Sequence, residues 1–379
     1  MNLAGLLIQK ERLRRDWSQE GLCKGICAVS YLSKIEQGKI VPSDEILEAL
    51  FSRLGIHWEN TGKPGLEERI KRCWEALLSG NKAAFQEEKR QLDCLGENLQ
   101  CSPFMVDILL LDAFAKEEPA PLDEELECLM DQHQLALQRT LQRRFNEAVA
   151  LWPIPWMLLA CGEYHHNQGQ YIAALEVLRQ AYDTAAEEGY PFLMLDSQTY
   201  MGNCCANMRD IPRMLQHYTI AERLARALKQ ETVVEVLEYN IAATALECGR
   251  TEEAYRYFSQ KDNLSAMEFH KLAICCEKLG KPTEAFAALD AAEKKISDAW
   301  EPALTQMMLD LVRYRLEHPD YLKDSCYGTM LLQCFQELKE KLPIGYAMFH
   351  MPWVMEWYKA NRQYRQACAL LENFPEKIE

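Results

Sequence analysis

The chain has 379 residues, a formal net charge of −15 and an apolar content of 48%. That length points to two or more structural units with enough apolar side chains for a large core. No apolar run is long enough to span a membrane, and Met1-Asn2-Leu3-Ala4-Gly5 has no basic segment before its apolar residues, so neither a spanning segment nor a signal peptide is expected.

In chain order, the first predicted element is an amphipathic helix from about Leu3 to Arg15. Trp17 to Lys39 then reads as two short helices joined by a tight turn. Ser18 stands as an N-cap, with Gln19 and Glu20 in the first turn, where a carboxylate suits the helix dipole. Leu22 is the apolar residue of that helix, and Gly25 and Ile26 make the turn. The second helix runs from about Val29 to Gln37, with Leu32 and Ile35 inward at i, i+3 spacing. Gly38 falls where a left-handed C-terminal residue is wanted. Beyond Pro42, Ser43 is expected to cap another helix, with Asp44 and Glu45 in its first turn and Ile46, Leu47, Leu50 and Leu54 at helical spacing. This is the layout of a small all-α helix-turn-helix domain, whose second helix can enter a DNA major groove.

Asn60-Thr61-Gly62-Lys63-Pro64-Gly65 reads as a linker. Beyond it the chain is almost entirely amphipathic helix without strand-like alternation. From Trp156 onward, repeats are visible. Gly162, Gly202, Ala242 and Ala273 recur at one position, and Ala174, Ala254 and Ala285 at another, with turns at Gly169, Gly249 and Gly280. A last unit lies near Trp353 to Leu371.

The charge is uneven. Residues 1–57 hold eight Lys/Arg and seven Asp/Glu, a net of +1, and the rest of the chain carries −16. The acidic part repels DNA from every surface except the head. A near-neutral head binds weakly alone, because affinity comes largely from phosphate neutralisation. Two heads on a homodimer add their contacts and read a two-fold site. The fifteen cysteines include no Cys-x-x-Cys pair and read as reduced structural thiols, with Cys161, Cys205, Cys248 and Cys276 at positions for small buried residues. His165-His166 reads as a helix-surface pair. No metal, cofactor or catalytic motif is recognised, so an enzyme is not expected.

Two resemblances sharpen this. Ser18-Gln19, Leu22, Ser33-Lys34-Ile35-Glu36-Gln37-Gly38-Lys39, Pro42-Ser43 and Leu54-Gly55-Ile56 resemble the Cro/C1-type helix-turn-helix domain. The resemblance implies that Gln19 contacts a phosphate or base edge and that Val29, Ser30 and Lys34 face bases, with Tyr31 and Lys39 also at the DNA. It also implies an internal Arg12–Glu36 ion pair. Ala28 departs from the family's capping Ser or Thr, which leaves the start of the recognition helix open.

The repeats resemble tetratricopeptide hairpins of about 34 residues. They imply a right-handed superhelix whose concave groove is lined by the first helix of each hairpin. Groove positions include Glu163, Tyr200, Asn203, Tyr239, Asn240 and Lys271. An asparagine amide donates and accepts, so it can clamp the backbone of an extended peptide, and Asn240 falls at the position peptide-binding tetratricopeptide proteins use for this. Head and repeats together resemble the peptide-pheromone receptors of Gram-positive bacteria. That implies an all-α cytoplasmic homodimer with a DNA-binding domain at 1–58, a linker at 59–66, a regulatory and dimerisation domain at 67–379, and double-stranded DNA and a short signalling peptide as partners. The alternative is a DNA-tethered adaptor whose repeats bind a partner protein.

Overall fold

A computed structural model describes residues 3–56, 58, 65–95 and 102–373; positions 59–64 of the expected linker lie outside the described residues. The described residues are all-α. The elements are α1 (Leu3–Arg14), α2 (Gln19–Cys23), α3 (Val29–Glu36), α4 (Asp44–Arg53), α5 (Leu66–Leu78), α6 (Lys82–Asp93), α7 (Met105–Lys116), α8 (Glu124–Glu127), α9 (Gln132–Leu141) and α10 (Phe145–Leu151). They continue with α11 (Pro155–Asn167), α12 (Tyr171–Glu188), α13 (Pro191–Asn207), α14 (Ile211–Ala227), α15 (Glu231–Glu247), α16 (Thr251–Gln260), α17 (Ala266–Lys278) and α18 (Pro282–Glu293). The last four are α19 (Pro302–Glu317), α20 (Ser325–Lys341), α21 (Ile344–Ala360) and α22 (Tyr364–Asn373). Two compact units result: Met1–Cys161 with Glu187–Leu193, and Gly162–Ala186 with Met194–Glu379.

In the first unit, α1 to α4 close around Ile8, Leu22, Leu32, Ile35 and Leu50, and Phe51 stacks on Trp58 with ring centroids 4.5 Å apart. Ser18 caps α2 as expected, accepting from the Gly21 N–H at 3.0 Å. α3 begins at Val29 although Ala28 caps nothing, so burial of Leu32 and Ile35, rather than a cap, fixes its start. Gly38 ends the element with φ 69°, and the Lys39 N–H returns to the Lys34 carbonyl at 2.8 Å. Ser43 occupies the N-cap of α4, but its side chain makes no cap bond. α1 is tied to the N-cap of α8 by Lys10, which pairs with Asp123 and, at 3.3 Å, with Glu125.

In the second unit, consecutive helices pack as hairpins, α15 on α16 and α17 on α18 among them. The small residues do what their spacing implies. A Cβ on Gly202 of α13 would lie 2.2 Å from the Tyr218 ring of α14, so only glycine permits this approach. Ala254, Phe258, Ala273 and Leu289 are buried in one shared core. Cys161, Cys205 and Cys276 are buried as expected, but Cys248 is exposed. It caps the end of α15, where it lies between the exposed Glu247 and Gly249, just past the buried Thr244, Ala245 and Leu246. α21 is apolar and packs on two cores: Val354 and Trp357 join the α19–α20 side, and Phe349 joins the α15–α19 side.

Candidate DNA-binding head and groove site

The head presents one face of α3. Leu32, Ile35 and Glu36 are buried, which turns Val29, Ser30 and Lys34 outward. Val29 is 43% exposed, an apolar side chain that the head's core does not need. Tyr31 is half-buried at the edge of that core, and Lys39 is exposed beyond the turn. The Arg12–Glu36 pair is present and bidentate: Nε donates to Oε1 at 2.7 Å and Nη2 to Oε2 at 2.9 Å. The third Arg12 nitrogen, Nη1, donates to the Trp17 carbonyl at 2.8 Å. Gln19 is half-buried and donates from Nε2 to Glu36 at 2.8 Å. Its amide therefore braces α2 against α3, and its oxygen keeps free acceptor capacity. The pair holds the Arg12 guanidinium above its ordinary pKa, because the Glu36 hydrogen bonds outweigh the cost of burial.

In the second unit, a cavity of about 190 Å³ collects Asn203, Tyr239, Asn240 and Lys271. The two asparagines are joined: the Asn203 oxygen accepts from Asn240 Nδ2 at 3.2 Å and from the Tyr218 hydroxyl at 2.6 Å. The Asn203 acceptor is thus committed, while the Asn240 oxygen keeps its capacity. Glu163 and Tyr200 do not line the cavity itself. They pair beside it, where burial and then the Glu163 carboxylate push the Tyr200 phenol up. Tyr239 is packed edge-on to Phe258, and burial pushes its phenol up as well.

Lys271 is 6% exposed. Burial pulls its ammonium down to about 7, with Glu247 opposing, and its Nζ sits 2.9 Å from the centre of the Phe349 ring. His166 overturns the surface-pair reading: it is 9% exposed and lines the cavity. It approaches Asn207 Nδ2 at 3.2 Å and the Tyr200 ring at 5.6 Å. Burial holds it below the usual histidine range. Helical spacing alone could not distinguish it from the exposed side, because the partners that cover it come from α12 and α13.

Sequence reasoning missed the wall supplied by α21. Gly345, Tyr346 and Phe349 close the cavity, and an added Cβ on Gly345 would meet Asn207 at 3.3 Å. The one available signal was the apolar run from Ile344 to Trp353.

An exposed α3 on a four-helix head, with a stack of helical hairpins and a polar groove in the second unit, defines a helix-turn-helix protein with a repeat body. Residues 8–59 match the helix-turn-helix family, and the head is a Cro/C1-type domain. The transcriptional activator NprA of Geobacillus stearothermophilus is 20% identical over 265 residues, 58% of this chain and 62% of NprA. The chain therefore spans less than two thirds of that relative's length. Among solved structures, a Rap protein complexed with competence and sporulation factor is similar in fold, with a TM-score of 0.59 at 14% identity over 82% of this chain and 96% of that one. PlcR of Bacillus thuringiensis, solved with a peptide and DNA, has a TM-score of 0.29 at 12% identity over 76% of this chain and 99% of that one. No described helix is long and apolar enough to cross a membrane.

Proposed function

We propose that this chain is a sequence-specific transcription regulator whose DNA binding is controlled by a short signalling peptide held in the groove of its repeats. The DNA half rests on the outward face of α3. Val29, Ser30 and Lys34 read base edges, while Gln19, Tyr31 and Lys39 contact the flanking backbone. With Ala28 offering no cap, the first N–H groups of α3 are open to a phosphate. The head (1–58), linker (59–66) and regulatory body (67–379) act as separate parts of a cytoplasmic homodimer on a two-fold operator. NprA, as a transcriptional activator, supports the class.

The observation that carries the peptide half is the joined asparagine pair, both members of which line a cavity also lined by Lys271 and His166. Tyr239 is part of its wall, and Glu163 and Tyr200 pair beside it. A peptide acts by binding one arrangement of the heads more tightly than the other. The test is DNA binding to the gene's own promoter region at moderate salt, with and without added culture-derived peptide. Asn240→Ala should abolish the peptide response and leave DNA binding in its absence unchanged. No binding to promoter DNA removes the regulator reading, and an unchanged dose response removes Asn240 from the site.

A further inference from the structure

The 190 Å³ asparagine cavity is smaller than the roughly 300–1,000 Å³ of ordinary ligand sites. It admits a main-chain amide or a small side chain. Next to it, sharing Tyr346 as a common wall, lies a larger cavity of about 470 Å³ at the N-terminal ends of α17 and α19. Among the described residues, Tyr346 is the one lining both.

Its floor is apolar, built from Leu264, Met267, Leu304, Met308 and Tyr346. Thioethers adapt to different apolar shapes. Its rim is acidic, with four carboxylates to two lysines. Both lysines are already engaged. Lys261 donates to Glu268 at 2.7 Å, and Lys295 donates to the Leu264 carbonyl at 2.8 Å and to Asn263. Glu268 is spent on Lys261 and on the Ser265 cap. Glu235, Asp298 and Glu301 remain: none is in an ion-pair contact among the described residues, Asp298 accepts only from the Ser297 hydroxyl at 3.1 Å, and Lys261 and Lys341 act on Glu235 and Glu301 from beyond contact distance. Between Asp298 and Glu301 stands Trp300, 75% exposed. An indole left in water beside carboxylates that lack an ion-pair contact is half of a cation site, because its face attracts a positive charge and the carboxylates retain it.

We infer that this cavity is the specificity pocket for the groove ligand: it takes a large apolar side chain on its methionine-lined floor, and Trp300 with Asp298 and Glu301 takes a basic group next to it. This rests on the peptide reading of the asparagine groove. The Asn203–Asn240 pair holds backbone and discriminates little; the second pocket selects the sequence. The basic group is a Lys or Arg side chain or a free α-ammonium.

The test is affinity selection on the full-length protein from random hexapeptide pools, one with free and one with acetylated N-termini, with retained peptides read by mass spectrometry. The wild-type protein should enrich a large apolar residue beside Lys or Arg in both pools; if the α-ammonium is the basic group, enrichment is confined to the free pool. Met308→Trp should erase the apolar preference. Asp298→Lys with Glu301→Lys should reverse the basic preference, and the surface change Trp300→Ser should weaken it by about two- to fivefold, the scale of an exposed cation–π contact. Peptides retained by these variants with unchanged composition overturn the pocket, while the peptide site itself stands. If the wild-type protein retains no peptide, both readings fall.

Discussion

At the scale of single residues, two buried charges carry opposite meanings. Glu36 is buried and fully engaged by Arg12 and Gln19. Removing it strands the guanidinium in the core of the head. Breaking such a pair costs about 3–5 kcal/mol, so Glu36→Ala should lower the urea midpoint sharply and abolish DNA binding. A midpoint equal to wild type would show that the pair is incidental. Lys271 is buried without an ion-pair contact among the described residues, and its folded pKa of about 7 lies below the ordinary 10.5. Within that window the unfolded chain binds a proton that the folded chain does not, so stability rises with pH across it, and the full cost of burial is felt below about 7. Lys271→Met should therefore stabilise most at the acid end and flatten the slope. Urea unfolding across that pH range decides it: an undiminished slope places its origin elsewhere.

At the scale of elements, the hairpins depend on close approach. Gly202 faces the Tyr218 ring, and Tyr218 in turn supplies the hydroxyl that fixes Asn203. Gly202→Ala must push α13 and α14 apart, an overpacking cost of about 1–3 kcal/mol, and it should weaken the peptide response as well as the thermal midpoint. A variant with wild-type melting would mean that the ring yields freely. α21 shows the limit of periodicity. It is apolar nearly all round and has Pro352 inside it, so no face stands out in the sequence. Its role as a cavity wall comes from being sandwiched between two cores.

At the scale of the whole molecule, charge is partitioned. A head of net +1 on a chain of −15 leaves few phosphate contacts per copy, so a single head should bind weakly with a shallow salt slope, and operator binding should depend on two heads adding their contacts. Lys39→Ala should weaken specific and random DNA alike and reduce the salt slope by about 1 per lost contact. Lys34→Ala should instead cost mainly the preference for the operator. Equal losses on both DNAs for Lys34→Ala would move it from base reading to backbone contact. Fluorescence anisotropy over a salt series separates the two.

The sequence by itself determined what depends on near neighbours along the chain. The turn glycines, the Ser18 cap, the 3.6-residue periodicity of α3 and α4, and the glycine and alanine spacing of the hairpins all act within a turn or between adjacent helices, so they are legible as pattern. The ion pair of Arg12 with Glu36 was legible only through a family likeness. Tertiary structure alone decided the rest. It buried His166, exposed Cys248, committed the Asn203 oxygen to Tyr218 and Asn240, and brought Phe349 onto Lys271. These contacts join residues far apart in the chain, and burial, hydrogen-bond commitment and pKa depend on which distant side chains arrive, which no local period encodes.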